Sequence, residues 1–199
     1  GSTKVGKGIG AASQGNLKKV SLELGGKNPQ MIFPDADLDA ALDAVIFGAY
    51  FNMGECCNGG SRILLHQDIA EDFVNALVER VKSLPVGDPM DEQSKLGAII
   101  NDAQLEKILG YIASGKVAGA RIRLGGNRID TDCGRYIEPT IFDNVTPDMA
   151  ISQEEVFEPV ISIIRTESLD EAIEIENASN FNFKRVQFQF QICFKFEPQ

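Results

Sequence analysis

Short apolar runs of strand length alternate with stretches whose apolar residues recur at helical spacing, and this alternation restricts the chain to an α/β fold. Gln30 to Phe33 reads as a short strand. Behind an N-cap at Asp35 or Asp37, the residues Leu38, Ala41, Leu42, Val45 and Ile46 share one helical face. Arg62 to His66 reads as the next strand, and Ile69, Phe73, Leu77 and Val81 mark a helix that ends before Pro85. A third helix is expected from about Asp102 to Ser114, on Leu105, Ile108, Leu109 and Ile112. Arg121 to Leu124, Tyr136 to Ile141 and Val160 to Ile164 read as strands, and Leu169 to Asn177 as a short helix. At the start, Gly1-Ser2-Thr3 turns into a helix running to about Gln14, and Leu17 to Leu24 is expected to be a strand. Strands and helices in alternation predict an open, mostly parallel sheet with helices on both faces.

At 199 residues the chain is one large domain or parts of two, with enough apolar sequence (43%) to bury a core. A formal charge of −10 argues against nucleic acid or an anionic membrane as partner, since both reward clustered Lys and Arg. No apolar run has the length of a membrane span, and no signal pattern opens the chain. Cys56, Cys57, Cys133 and Cys193 do not make a disulfide framework, so a reducing, cytoplasmic setting is the expectation. No cluster at metal-ligand spacing surrounds the cysteine pair, and no metal is expected.

Two glycine-rich segments carry chemistry. Glu23 lies in Val20-Ser21-Leu22-Glu23-Leu24-Gly25-Gly26-Lys27, and Cys57 in Gly54-Glu55-Cys56-Cys57-Asn58-Gly59-Gly60-Ser61-Arg62. A lone cysteine is more often a small buried apolar residue than a nucleophile. Around Cys57, however, a loop rich in glycine exposes backbone N–H groups that could hold an oxyanion, which favours covalent chemistry on a carbonyl carbon. Glu23 on an amphipathic strand could be a solvated face residue. It is instead expected at a strand end, where function gathers in open α/β sheets, as a candidate general base. His66, the single histidine, lies nine positions beyond Cys57 at the end of a predicted strand, so a Cys/His protease pair is disfavoured.

Glu23-Leu24-Gly25-Gly26-Lys27 and Gly54-Glu55-Cys56-Cys57 resemble the two signature motifs of the aldehyde dehydrogenase superfamily. The second aligns with a Gly-(Gln/Glu)-x-Cys core, which puts the nucleophile at Cys57 and leaves Cys56 as an adjunct. Glu154-Glu155-Val156-Phe157-Glu158-Pro159-Val160 is similar to the family's Glu-Glu-(Ile/Val)-Phe-Gly-Pro-Val, with Glu158 where glycine is nearly always found. If that glycine serves a positive φ, Glu158 is costly there. The resemblance implies NAD or NADP as cofactor, Glu155 on the nicotinamide ribose and Phe157 beside the nicotinamide. It also implies that Gly1 and Ser2 lie near the cofactor pyrophosphate, and that Leu24 and Gly25 line the cofactor site.

The activity implied is oxidation of an aldehyde to a carboxylic acid through a cysteine thiohemiacetal and thioester. Glu23 would activate water, which favours hydrolysis over transfer to coenzyme A. The resemblance runs from Gly1 to about Phe183 and divides the chain into three parts. Residues 1–26 would be a C-terminal remnant of the dinucleotide-binding domain, 27–183 an incomplete aldehyde dehydrogenase-like catalytic domain, and 184–199 an atypical tail. Family members are longer and homo-oligomeric, and an asparagine completing their oxyanion hole would precede Gly1. An alternative expectation is therefore a catalytically incompetent fragment that acts in binding or association. From Val186 to Phe196 apolar and other residues alternate strictly. On its face that is an amphipathic strand; the favoured expectation is sequence that never evolved with this fold.

Overall fold

A computed structural model describes residues 1–131, 134–178 and 191–192. Six strands form one sheet in the order β3-β6-β7-β2-β1-β8. These are β1 (Pro29–Ile32), β2 (Arg62–His66), β3 (Arg121–Leu124), β6 (Thr140–Asp143), β7 (Val160–Thr166) and β8 (Gln191–Ile192). All neighbours run parallel except β3, which pairs antiparallel with β6 and is bulged between Ile122 and Leu124. A second, two-stranded sheet joins β4 (Arg128–Ile129) to β5 (Tyr136–Ile137). The expected mostly parallel α/β architecture is what forms.

Side-chain alternation along the parallel strands sorts the core onto two faces. Ile32, Ile63, Leu65, Ile141, Ile161 and Ile163 pack with α2 (Leu38–Tyr50) and α3 (Gln67–Lys82). Met31, Leu64, Phe142, Val160 and Ile164 pack with α4 (Asp102–Val117), α5 (Ala150–Gln153) and α6 (Leu169–Asn177) on the other. Because both faces are covered, β2 and β7 are almost wholly buried and read as continuous apolar runs. Capping sets the helix starts: Asp37 accepts from the Asp39 and Ala40 N–H groups, and Asn101 and Ser168 accept from Gln104 and Glu171.

Several elements differ from expectation for identifiable reasons. The helix α1 (Thr3–Ser13) forms as expected, but residues 17–24 are not a strand. Strand propensity there finds no place beside β1, the nearest strand in sequence, which already has β2 and β8 on its two sides. The Tyr136 to Ile141 run splits into β5 and β6 around Pro139, which has no N–H for a ladder. Helix α4 continues to Val117, three residues past the expected end. Most of the alternating tail lies outside the described residues; its Gln191–Ile192 pairs in parallel with Gln30 and Met31.

Candidate functional site

Three loops meet at one edge of the sheet because each precedes one of three neighbouring parallel strands. The Glu23 segment leads into β1, the Cys57 segment into β2, and the Glu155 segment into β7. Strand order β7-β2-β1 therefore brings together residues up to 129 positions apart. This edge is the amino-terminal one, and because residues 17–24 form no strand, Glu23 is not at the strand end expected for it. Glu23 lies on irregular backbone, exposed to solvent.

Gly25 and Gly26 are the joint of this arrangement. A Cβ on Gly25 would fall 1.8 Å from Glu155 Oε2, and one on Gly26 would fall 2.7 Å from the Cys57 carbonyl oxygen. At Gly26 the obstacle is backbone, which leaves no room for a side chain, whereas at Gly25 it is the Glu155 carboxylate, which would have to move. The Gly26 N–H donates to Glu155 Oε1 at 3.1 Å, and the Asn28 amide donates to the Cys57 carbonyl at 2.9 Å. Gly1 closes the back of the segment: its amine donates to the Glu23 carbonyl at 2.7 Å and its carbonyl accepts from Gly25 at 3.1 Å. Ser2 is occupied as the cap of α1, accepting from Val5, while Leu24 packs on α1 where Gly6 leaves room. Gly25→Ala is expected to expel the Glu155 carboxylate and cost roughly 1–3 kcal/mol by overpacking. Thermal unfolding checks this, and Gly25→Ala/Glu155→Ala should recover part of the loss.

The cysteine loop is built from strained backbone. Asn52 and Met53 have φ of 48° and 60°, left-handed values that are unfavourable for Met53. The turn closes by Glu55 N–H to Asn52 carbonyl and Gly59 N–H to Cys56 carbonyl, and Gly60 N–H ties the loop to Gly48 of α2. Cys57 is exposed and Cys56 half-buried. The Cys57 and Asn58 N–H groups donate to nothing among the described residues, so both are available to a developing negative charge.

Across the joint, Glu155 is half-buried with one carboxylate oxygen held by the Gly26 N–H. Phe157 has φ of 63° and is partly exposed. The positive φ thus falls at Phe157, and Glu158 is not among the left-handed residues, so the anticipated backbone penalty at Glu158 does not arise there. Its carboxylate is buried instead. His66 caps α3, accepting from the Asp68 N–H at Nδ1, while Nε2 lies 3.0 Å from the Glu167 carbonyl. Both ring nitrogens are committed to structure, away from Cys57. Among the described residues, no group of three or more His, Cys, Asp or Glu could hold a metal ion. Nor is any helix there long and apolar enough to cross a membrane.

Sequence reasoning missed Lys27, Asn28 and the burial of Glu158. Lys27 is 3% exposed and its Nζ has no hydrogen-bond partner. Burial, then the Arg62 charge, lower its pKa to about 7, while Glu155 acts in the opposite direction. Only the Gly-Gly beside Lys27 hinted at close packing, and nothing in periodicity marks a buried amine.

Fold and loops together define an open α/β domain that presents a thiol, a carboxylate and free backbone donors at the amino-terminal edge of a parallel sheet. The profile of the aldehyde dehydrogenase family matches residues 1–185, and the chain belongs to that family. It is 48% identical to human retinal dehydrogenase 2 over 189 residues, 94% of this chain and 36% of that protein. The structure of an NAD-dependent aldehyde dehydrogenase from Sinorhizobium meliloti superposes with a TM-score of 0.87 at 43% identity, covering 89% of this chain and 35% of that one. An NAD+ complex of an aldehyde dehydrogenase from Bacillus cereus gives 0.87 at 39%, covering 90% and 36%. The chain thus spans about a third of the length of these relatives.

Proposed function

We propose that this chain carries the thiol-bearing part of an enzyme that oxidises an aldehyde to a carboxylic acid with NAD or NADP. Support comes from one observation above all: Gly25 and Gly26 bring the Glu23, Cys57 and Glu155 segments into contact at one sheet edge. The Cys57 sulfur adds to the aldehyde carbon, and the oxygen of the thiohemiacetal lies within the reach of the free Cys57 and Asn58 N–H groups. When bound, the nicotinamide cofactor accepts the hydride lost from that carbon, leaving a thioester on Cys57. Glu23 then takes a proton from water, whose oxygen attacks the thioester; the acid leaves and the sulfur regains a proton.

Glu155 would hold the nicotinamide ribose through the carboxylate oxygen that Gly26 leaves open, with Phe157 beside the ring. Gly1, Ser2, Leu24 and Gly25 would form the adjoining wall. The absence of any side chain at Gly25 fits this, since a Cβ there would occupy the Glu155 carboxylate. The domain limits are proposed as 1–26, 27–183 and 184–199, with the first part belonging to the coenzyme side.

A second reading is a binding or association module without turnover. Exposure of both Cys57 and Glu23, on a chain that spans 36% of human retinal dehydrogenase 2, favours it. Incubating the purified chain with NAD+ and a panel of aldehydes, and following reduced cofactor by absorbance, decides between the two. Under the enzymatic reading Cys57→Ala lowers the rate by roughly a thousandfold or more. A wild-type rate no higher than that of the variant leaves the association module.

A further inference from the structure

Glu158 is 2% exposed, yet it carries a carboxylate. Its Oε1 accepts from the Gln104 amide of α4 at 3.2 Å, while its Oε2 is buried and finds no donor. Glu55, two residues before Cys57 and next to Gly54, is the like charge that acts on this carboxyl. Two carboxylates are acceptors only, so the buried oxygen is satisfied when one proton lies between them. The backbones touch as well: a Cβ on Gly54 would fall 2.6 Å from the Glu158 carbonyl oxygen.

We propose that Glu158 positions the Cys57 loop through a proton shared with Glu55, holding the loop against the 154–159 segment until that proton is lost. The charged groups facing Glu158 are Glu55 from the cysteine loop and Lys107 from α4. Burial, then the Glu55 charge, raise its pKa to about 8, against the Gln104 hydrogen bond and the Lys107 charge. A carboxyl raised in the folded state adds stability at low pH and loses it as pH climbs through the folded value. Above that point two negative charges oppose each other at this contact, and the loop is released from the 154–159 segment. The functional weight of this device rests on Cys57 being the nucleophile; the device itself does not.

Carbon-detected NMR of the purified chain tests it without cofactor or aldehyde. The Glu158 carboxyl carbon is expected to titrate with a midpoint of about 8, and the Cα resonances of Gly54, Gly59 and Gly60 are expected to shift with the same midpoint. In Glu158→Gln the amide donates to Glu55 at every pH, so the glycine shifts should vanish between about pH 6 and pH 9.5. Glu55→Gln supplies the amide from the other side and should give the same flat profile, which covers failure of either variant to fold. A midpoint at the ordinary carboxylate value, or glycine shifts that persist in both variants, overturns the proposal. Because none of these signals requires turnover, a flat profile and an inactive enzyme are separate results.

Discussion

Replacing Lys27 with methionine is expected to raise the melting temperature by roughly 10 °C near pH 6, with the gain fading as pH rises towards 10.5. The reason is linkage. The amine is pushed down to about 7 in the folded protein from an ordinary 10.5, so the folded state binds this proton less tightly than the unfolded one. Below about pH 7 the folded state must hold a buried ammonium, a penalty on the order of 3–5 kcal/mol. Between 7 and 10.5 the unfolded chain loses its advantage and stability climbs with pH. Methionine keeps the stem and removes the charge. Melts of both proteins at pH 6 and pH 10 measure the difference, and an equal gain at the two pH values would show that the amine is not the cause.

The second large effect is expected at Glu176. Arg62, at the start of β2, has a fully buried side chain that pairs with Glu176 of α6, and its Nη1 donates weakly to the Ser152 carbonyl at 3.4 Å. Arg62 Nε has no partner. Burial lowers the guanidinium pKa and raises that of the Glu176 carboxyl, each against the attraction of the partner. Desolvation outweighs attraction on both sides, so the pair adds little net stability. Removing only one member is another matter. Glu176→Ala leaves a guanidinium uncompensated in a dry site and is expected to destabilise by roughly 3–5 kcal/mol. The double variant Arg62→Met/Glu176→Leu should return most of that loss, since apolar groups of similar volume replace buried ion pairs at little cost. Chemical denaturation of the three proteins reads both steps. A loss below about 1 kcal/mol in Glu176→Ala would mean that Arg62 reaches water or another acceptor.

These two sites frame the edge where the loops converge. Lys27 follows the double glycine two residues before β1, and Arg62 follows the cysteine loop as the first residue of the adjoining parallel strand β2. Lys27 adds stability as pH rises above about 7, whereas Glu158 withdraws it as pH rises to about 8. The two slopes oppose one another across a narrow interval. The loop edge therefore contains two groups whose pKa values are moved towards neutrality, one downwards and one upwards.

Sequence alone determined the elements whose signals are local. The short apolar runs of β2 and β7, helical periodicity in α2 and α3, and the Asp37 cap depend on neighbours within a few positions, and they formed as read. Glu23, Cys57 and Glu155 were legible as motifs for the same reason. What the tertiary structure decided is where those segments meet and which polar groups are sealed in. Residues 17–24 carry strand propensity, but a strand needs a free edge, and β2 and β8 occupy both sides of β1. Gly25 and Gly26 were legible only as a glycine-rich segment; in the fold they let Glu155 and the Cys57 carbonyl approach from distant parts of the chain. No local pattern marked Lys27 or Glu158 as buried; the order of strands in the sheet buried them. Burial depends on what packs from elsewhere in the fold, a quantity that no window of sequence contains.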